Sequence, residues 1–299
     1  RLGLREHITY RFTTPEREAL LNAPLSGEYV LMLNAITADK TALRQSLLPN
    51  LLDVTRANLR FTPAVQVFEI GAVYFYPPGV EMPEGLPAEP RRLAIILSGQ
   101  RDDASWLGAP DALYDFYDLK GIVEQFLAAL HLTSYQVTRA QHPSLHPGRS
   151  AALSVNGIPI GVFGELHPLV AQSFDVDGAP VLAAEFDLDP LLAQLQPMHR
   201  VASLPITPAV LEDISLVVKD DLPAAEVEAV IRQAGGDLLK AVTLFDVYRG
   251  APIPDGHKSL AYRLTYQTDE RTLNDKEVAA VRKKIVKSAE ARLGAALRA

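Results

Sequence analysis

The sequence predicts an α+β protein of two domains. A helix-flanked, largely antiparallel sheet is expected over residues 1–200 and a βαββαβ unit over 207–299. Three observations predict it. A length of 299 residues is about two domain lengths. The charge changes along the chain: residues 1–206 hold 15 Lys+Arg against 22 Asp+Glu, whereas 207–299 hold 14 of each, so the net charge of −7 belongs to the first part. Pro197, Pro205 and Pro208 cluster where that change falls and place a linker near 200–206.

In the first part, Ile8–Phe12 alternates like a strand. Lys40–Arg60 carries Leu43, Leu47, Leu48, Leu51, Leu52 and Leu59 in a helical stripe, and Pro49 inside it either kinks the helix or occupies the first turn of a second one, which predicts a helix with a break. Val65–Tyr76 and Leu93–Ser98 are β-branched and aromatic and predict strands. The five prolines between Pro77 and Pro90 make the segment between them a loop. Asp115–Leu130 has the apolar spacing of an amphipathic helix. Asn156-Gly157 between Ala151–Val155 and Ile158–Phe163 is a hairpin signal, because both turn positions need positive φ. Val181–Asp187 predicts a last strand that runs into a short Leu-rich helix at 190–195.

The second part gives a strand at Asp213–Val218 and a helix at Pro223–Gln233, stopped by Gly235-Gly236. Strands follow at Leu239–Arg249 and Ser259–Gln267, then a helix capped by Asn274 or Asp275, then a short strand at Leu297. That order is the ferredoxin-like split unit, a fold whose open sheet face binds bases in RNA-recognition modules.

Composition narrows the chemistry. With 48% hydrophobic and 22% charged residues the chain is an ordinary globular protein, which excludes disorder, collagen and coiled coil. The absence of cysteine excludes disulfides, thiolate zinc sites, iron–sulfur clusters and thiol nucleophiles. No apolar run is long enough to span a bilayer and no export signal opens the chain, so a soluble, cytoplasmic protein without a membrane partner is expected. Arg1 stands in structured-looking sequence, and the chain is expected to be a piece of a longer polypeptide.

Few motifs point to a reaction. His142 and His146 have the spacing of two helical zinc ligands, but Pro143 and Pro147 forbid the helix and make HPSLHP a loop. Gly157, Gly161 and Gly164 lie in a hairpin rather than at a strand-to-helix turn, and so lack the dinucleotide pattern. Neither a phosphate-binding GxxxxGK[ST] loop nor a GxSxG elbow occurs. Asp102-Asp103 and the acids of 187–189 have oxygens enough for a hard cation, yet they fall at a loop and a strand end and read better as solvated surface.

Alternation in SLAYRLTYQ sends Leu260, Tyr262, Leu264 and Tyr266 one way and Ser259, Ala261, Arg263, Thr265 and Gln267 the other. With Lys258, Tyr248, Arg249 and Arg271 nearby, the polar side forms a modest basic and aromatic patch suited to unpaired nucleotides. An ordinary half-solvated sheet would carry the same residues. Residues 281–299 hold six cations against Glu290, either a basic stripe or a solvated helix face.

The segments LRQSLLPNLL (43–52), VFEIGAVY (67–74), FYDLKGIVEQFL (116–127), HPGRSAALSVNG (146–157) and IGVFGELHP (160–168) carry a further signal, as do PAVLEDISLVV, LFDVYRG, GHKSLAYRLTY and DERTLND. In order and spacing they resemble the C-terminal part of the bacterial phenylalanyl-tRNA synthetase β-subunit family. The resemblance implies a catalytic-like domain of the class II synthetase fold over 1–200 and a ferredoxin-like anticodon-binding domain over 207–299. It implies an (αβ)₂ ligase that charges tRNA(Phe) using ATP and Mg²⁺, with the active site in the α subunit and no cofactor in this chain. The family's editing region and acidic Mg²⁺ site lie upstream of the matching segments. Where catalytic relatives place a Gly-rich strand and a phosphate-holding arginine, this sequence has Phe186-Asp187-Leu188-Asp189-Pro190-Leu191-Leu192. Acids replace the glycines, Leu192 stands at the place of the arginine, and no cation replaces the lost one.

Under the resemblance, the partners are the α subunit and tRNA(Phe). The Leu-rich segment, through Leu43, Leu47, Leu48, Leu51 and Leu52, is expected at the α interface, unless those leucines fill the domain's own core. Gly148-Arg149 and the Gly164–Pro168 run read as turn and strand residues that maintain the fold. Tyr248, Arg249, Lys258, Arg263 and Arg271 are the expected tRNA contacts, with Lys283, Lys284 and Lys287 as additional phosphate contacts; alternation and charge alone select them. The competing readings are a free-standing non-catalytic paralogue that binds RNA, and an enzyme that keeps ATP at the degenerate site.

Overall fold

Arg91–Gly99 sets the plan of the first unit. Its residues RRLAIILSG alternate between two apolar cores, Leu93, Ile95 and Leu97 into one and Ala94 and Ile96 into the other, so this strand is covered on both faces. The computed structural model describes residues 2–35, 37–80, 85–102, 105–106, 112–198 and 205–298, and the chain divides into compact units over 1–199 and 200–299. Asp103, Pro83 and most of the expected linker at 200–206 lie outside the described residues.

The first unit is built on a seven-stranded sheet. Its strands are β1 (Arg5–Glu6), β4 (Ala64–Ala72), β5 (Arg91–Gly99), β6 (Tyr135–Arg139), β7 (Leu145–Val155), β8 (Ile158–Leu166) and β9 (Val181–Asp187), in the order β1-β4-β5-β9-β8-β7-β6. Only β1 runs parallel to its neighbour. Helix α2 (Leu48–Asn58) and short helix α4 (Pro168–Ser173) cover one face; α3 (Phe116–Ala129) and α5 (Leu188–Leu192) cover the other. A two-stranded sheet of β2 (Phe12–Thr13) and β3 (Ala42–Leu43) and the one-turn helix α1 (Pro15–Ala19) complete the unit. The β7–β8 hairpin turns on Asn156 (φ 50°) and Gly157 (φ 80°), the pair of positive φ values that a two-residue turn needs.

Four expectations for this unit change. Ile8–Phe12 is not a strand: Thr9 donates its backbone N–H and hydroxyl to the carboxylate of Glu69 (3.3 and 2.7 Å), so a side chain takes the place of a ladder. Lys40–Arg60 is not helical throughout: Pro49 does occupy the first turn of a helix, α2, but no helix precedes it, because Ala42–Leu43 is extended. HPSLHP is a loop only to Ser144, after which β7 begins. The strand expected to reach Tyr76 ends at Ala72. The strand at Tyr135–Arg139 and the helices α1 and α4 have no counterpart in the sequence reading.

The second unit has strands β10 (Val210–Lys219), β11 (Leu239–Tyr248), β12 (His257–Tyr266) and β13 (Ala296–Leu297) in the order β11-β12-β10-β13, all antiparallel. Helices α6 (Ala224–Gly235) and α7 (Asp275–Leu293) share one core with the inward side of the sheet, where Leu260, Tyr262, Leu264 and Tyr266 are buried as the alternation predicts. Tyr262 donates its hydroxyl to the Ala224 carbonyl (3.1 Å), which gives this buried phenol its partner. Asn274 and Glu277 cap α7 reciprocally, both contacts at 3.1 Å, and Gly294 at φ 62° closes it.

Candidate functional site

The outer face of the second unit's sheet is where alternation leaves side chains without a core to fill. Asp213 on β10 lies directly opposite Arg263 on β12, and the two form a two-point ion pair at 2.9 and 3.0 Å. That bond holds the Asp213 carboxyl below its usual range and raises the guanidinium. A bulge in β11 between Leu244 and Asp246 presents Phe245, and the Arg263 guanidinium stands 5.3 Å from its ring centre. Tyr248, at the far end of β11, donates to the Ala251 carbonyl (2.7 Å) and receives the Arg298 guanidinium 5.2 Å from its ring centre. The Arg298 backbone N–H donates to the Ser215 carbonyl on β10, and Ser259 and Ala261 of β12 lie on the same face between β10 and β11. Those two residues are buried although they point outward, a correction to the expectation that the whole polar side is solvated.

The structure sorts the eight expected nucleic-acid contacts. Tyr248 and Arg263 share the outer face. Lys258 does not belong there: it pairs with buried Val218, is 8% exposed, and donates Nζ to the Asp220 carbonyl (2.6 Å). Its even number puts it on the side of Leu260 and Tyr262, so the alternation itself carried the signal. Arg249 is paired with Asp220 (2.8 Å), and Arg271 grips Glu277, whose carboxyl is pushed down to about 2 mainly by that contact. Both arginines stay exposed, and both are engaged within the fold. Lys283, Lys284 and Lys287 on α7 are exposed and make no ion pair among the described residues. Phe245 and Arg298 were missed; a bulge and a two-residue strand have no periodic signature.

In the first unit the Leu-rich segment is overturned as a surface. Leu47, Leu51 and Leu52 are fully enclosed and Leu48 nearly so, all packed in the core between α2 and the sheet, and Leu43 is half-buried in β3. A docking surface needs side chains that water can reach before the partner arrives, and these are spent on the domain's own interior. Exposed apolar side chains stand instead at Ile8 (86%) and Tyr10 (74%), beside a groove of about 740 Å³ that also includes Asn50, Asp53 and Val54 of α2.

The degenerate stretch at the end of β9 is also revised. Cations do stand beside its acids, contributed by the neighbouring strand. Arg92 of β5 contacts Asp187 (2.9 Å) and Glu185 (3.2 Å), and Arg91 contacts Asp189 (2.8 and 2.6 Å). Each guanidinium is neutralised by the carboxylates it faces and is therefore a poor holder of phosphate. Among the described residues no group of three His, Asp or Glu is arranged to hold a metal ion, and His142 and His146 each accept a backbone N–H two residues on.

Two family models match the chain, "Phenylalanyl tRNA synthetase beta chain CLM domain" over residues 1–188 and "Ferredoxin-fold anticodon binding domain" over 205–298. Proteins described as phenylalanine–tRNA ligase beta subunits are similar along its length. The protein of Symbiobacterium thermophilum is 40% identical over 300 residues, that of Moorella thermoacetica 41% over 306, and that of Bacillus subtilis 36% over 298. Each alignment covers 99% of this chain but only 33%, 36% and 36% of the relative, so the chain spans about a third of the curated relatives it matches.

Proposed function

From the premise that the chain belongs to the phenylalanyl-tRNA synthetase β-chain family, we propose that it is the C-terminal part of a β subunit which supports charging of tRNA(Phe) without an active site of its own. The observation that carries the reading is collinearity: both domain models match in one order, and the relatives align across nearly the whole chain. Residues 1–200 serve as a retired catalytic-like domain that pairs with the α subunit, and 207–299 as the anticodon-binding domain. ATP and Mg²⁺ belong to the holoenzyme and bind on the α subunit. The protein works in the cytoplasm; no helix among the described residues is long and apolar enough to cross a membrane.

Exposure and internal pairing support a particular set of residues for these roles. With its leucines enclosed, α2 meets a partner through its outer side, Asn50, Asp53 and Val54, together with Ile8 and Tyr10. On the second unit, Tyr248 and Phe245 supply rings for stacking with unpaired bases, and Arg263 and Arg298 already stack on those rings. Lys283, Lys284 and Lys287 supply the unpaired positive charge for phosphate.

Co-expression with a tagged α subunit from the same genome, followed by capture and mass determination, tests the reading. The expected product is a one-to-one or two-to-two complex, weakened by Tyr10→Asp and unaffected by Phe245→Ala. Failure to associate with both chains folded overturns it in favour of a free-standing RNA-binding module.

A further inference from the structure

Beneath α1 and the 23–26 segment, against the face of β5, β8 and β9, lies a cavity of about 390 Å³. That volume falls within the range of about 300–1,000 Å³ usual for small-molecule sites. Its wall is mixed. Leu21, Leu25, Leu145, Ile160 and Val162 give it an apolar side, while Glu18, Glu185, Asp187 and Arg92 give it charge. Three carboxylates against one guanidinium leave a surplus of negative charge along this wall. Glu18, 5% exposed, shows the consequence: burial pushes its carboxyl up to about 7, despite hydrogen bonds from the Gln45 backbone (2.9 and 3.1 Å) and the Tyr29 hydroxyl (3.3 Å). The neighbouring Glu185 carboxylate adds to the effect of burial. A second observation is independent of charge. Ser144 forms part of the same wall, is 1% exposed, and its hydroxyl has no hydrogen-bond partner, the condition that a bound polar group relieves.

We propose that this cavity binds a small organic ammonium compound with an apolar body, its cationic head among Glu18, Glu185 and Asp187 and its hydrocarbon against the leucine and isoleucine side. A bare divalent ion fits less well. The carboxylates are already oriented toward backbone N–H groups, Ser46 and Arg92, and no metal-holding cluster is found among the described residues. An anion is disfavoured by the net charge. The site is distinct from the surfaces assigned to the α subunit and to tRNA, and it stands whether or not those assignments do.

The test is calorimetry on the intact protein with three probes of one shape: n-pentylamine, 1-pentanol and pentanoate. The amine is expected to bind at least about tenfold more tightly than the alcohol at pH 8, and the carboxylate more weakly than either. Glu18→Gln should cost the amine about tenfold and leave the alcohol unchanged; Ser144→Ala should weaken the amine severalfold. Amine affinity should rise between pH 6 and pH 8 as Glu18 loses its proton, and this rise should vanish in Glu18→Gln. His142, which also lines the cavity, acts with the same sign when it loses its proton, so the comparison is made in a His142→Gln background. Tyr29 is raised well above its usual range, Arg92 is raised by the carboxylates beside it, and burial lowers His142. If Glu18→Gln binds neither amine nor alcohol, the cavity has collapsed, and half-exposed Asp187→Asn decides instead by weakening the amine alone. Equal binding of the three probes, no binding of the amine, or an amine affinity indifferent to all three substitutions overturns the proposal.

Discussion

Arg44 and Glu69 are 2.8 Å apart with both side chains almost wholly withdrawn from water, and together they fasten the N-terminal segment to the sheet. Arg44 also donates to the Ala72 carbonyl (3.1 Å) and to the Thr9 hydroxyl (2.8 Å), while that hydroxyl and the Thr9 N–H reach Glu69. Gly71 leaves the room: a Cβ there would fall 2.3 Å from the guanidinium. Removing one charge strands the other in the interior, so Arg44→Ala should cost about 3–5 kcal/mol by denaturant unfolding, whereas replacing both by Met should cost less than the single change. A single-variant loss below about 1 kcal/mol would show that water reaches the pair. Nothing in the sequence announces this contact, because residues 25 apart meet only through the tertiary path. The same is true of Glu18, Arg92 and Glu185. Lys258 is the opposite case: its parity along β12 was enough to place it indoors.

Among the elements, α3 and α7 were legible because their ends are written locally. The Asp115 carboxylate accepts from the backbone N–H groups of Tyr117 and Asp118, and the Asp115 N–H donates to the Asp118 carboxylate in return; Asn274 and Glu277 repeat the arrangement. The stripe of α2 was legible too, but periodicity reports only that a face is apolar, not whether its own sheet or another chain covers it. In α7 the capping role absorbs Arg271 into the fold, while the exposed lysines farther along the helix stay unpaired. Replacing Lys283, Lys284 and Lys287 together by Ala should therefore lower the slope of log K against log salt for tRNA(Phe) by about 2–3. Arg249→Ala, which removes a cation already shared with Asp220, should change it by well under one. Equal effects from both variants would mean that internal pairing does not decide which cations meet phosphate.

At the scale of the whole molecule, the two units each close a core from their own residues. Ile214, Leu216, Val227, Ile231, Leu239, Val242, Tyr262, Leu264, Val278 and Ile285 come from every strand and helix of the second unit except the short β13 and the single-turn 3-10 segment after α6, and the buried members of this core all belong to that unit. The sheet order places β10 and β12 in the middle, where they bury the large side chains Tyr262 and Tyr266, and leaves β11 and β13 at the edges. The change in charge and the proline cluster made this division readable from sequence, since a core that closes on itself leaves its boundary to polar, proline-rich chain. A fragment of residues 205–299 should consequently fold alone, with one cooperative thermal transition and dispersed amide resonances. It should also keep the greater part of the salt-dependent RNA affinity, because the rings of Phe245 and Tyr248 and the α7 lysines all travel with it. A fragment that melts without cooperativity would show that the core depends on residues beyond its own. A folded fragment with no affinity for tRNA would instead show that the outer sheet face and α7 are not the nucleic-acid surface.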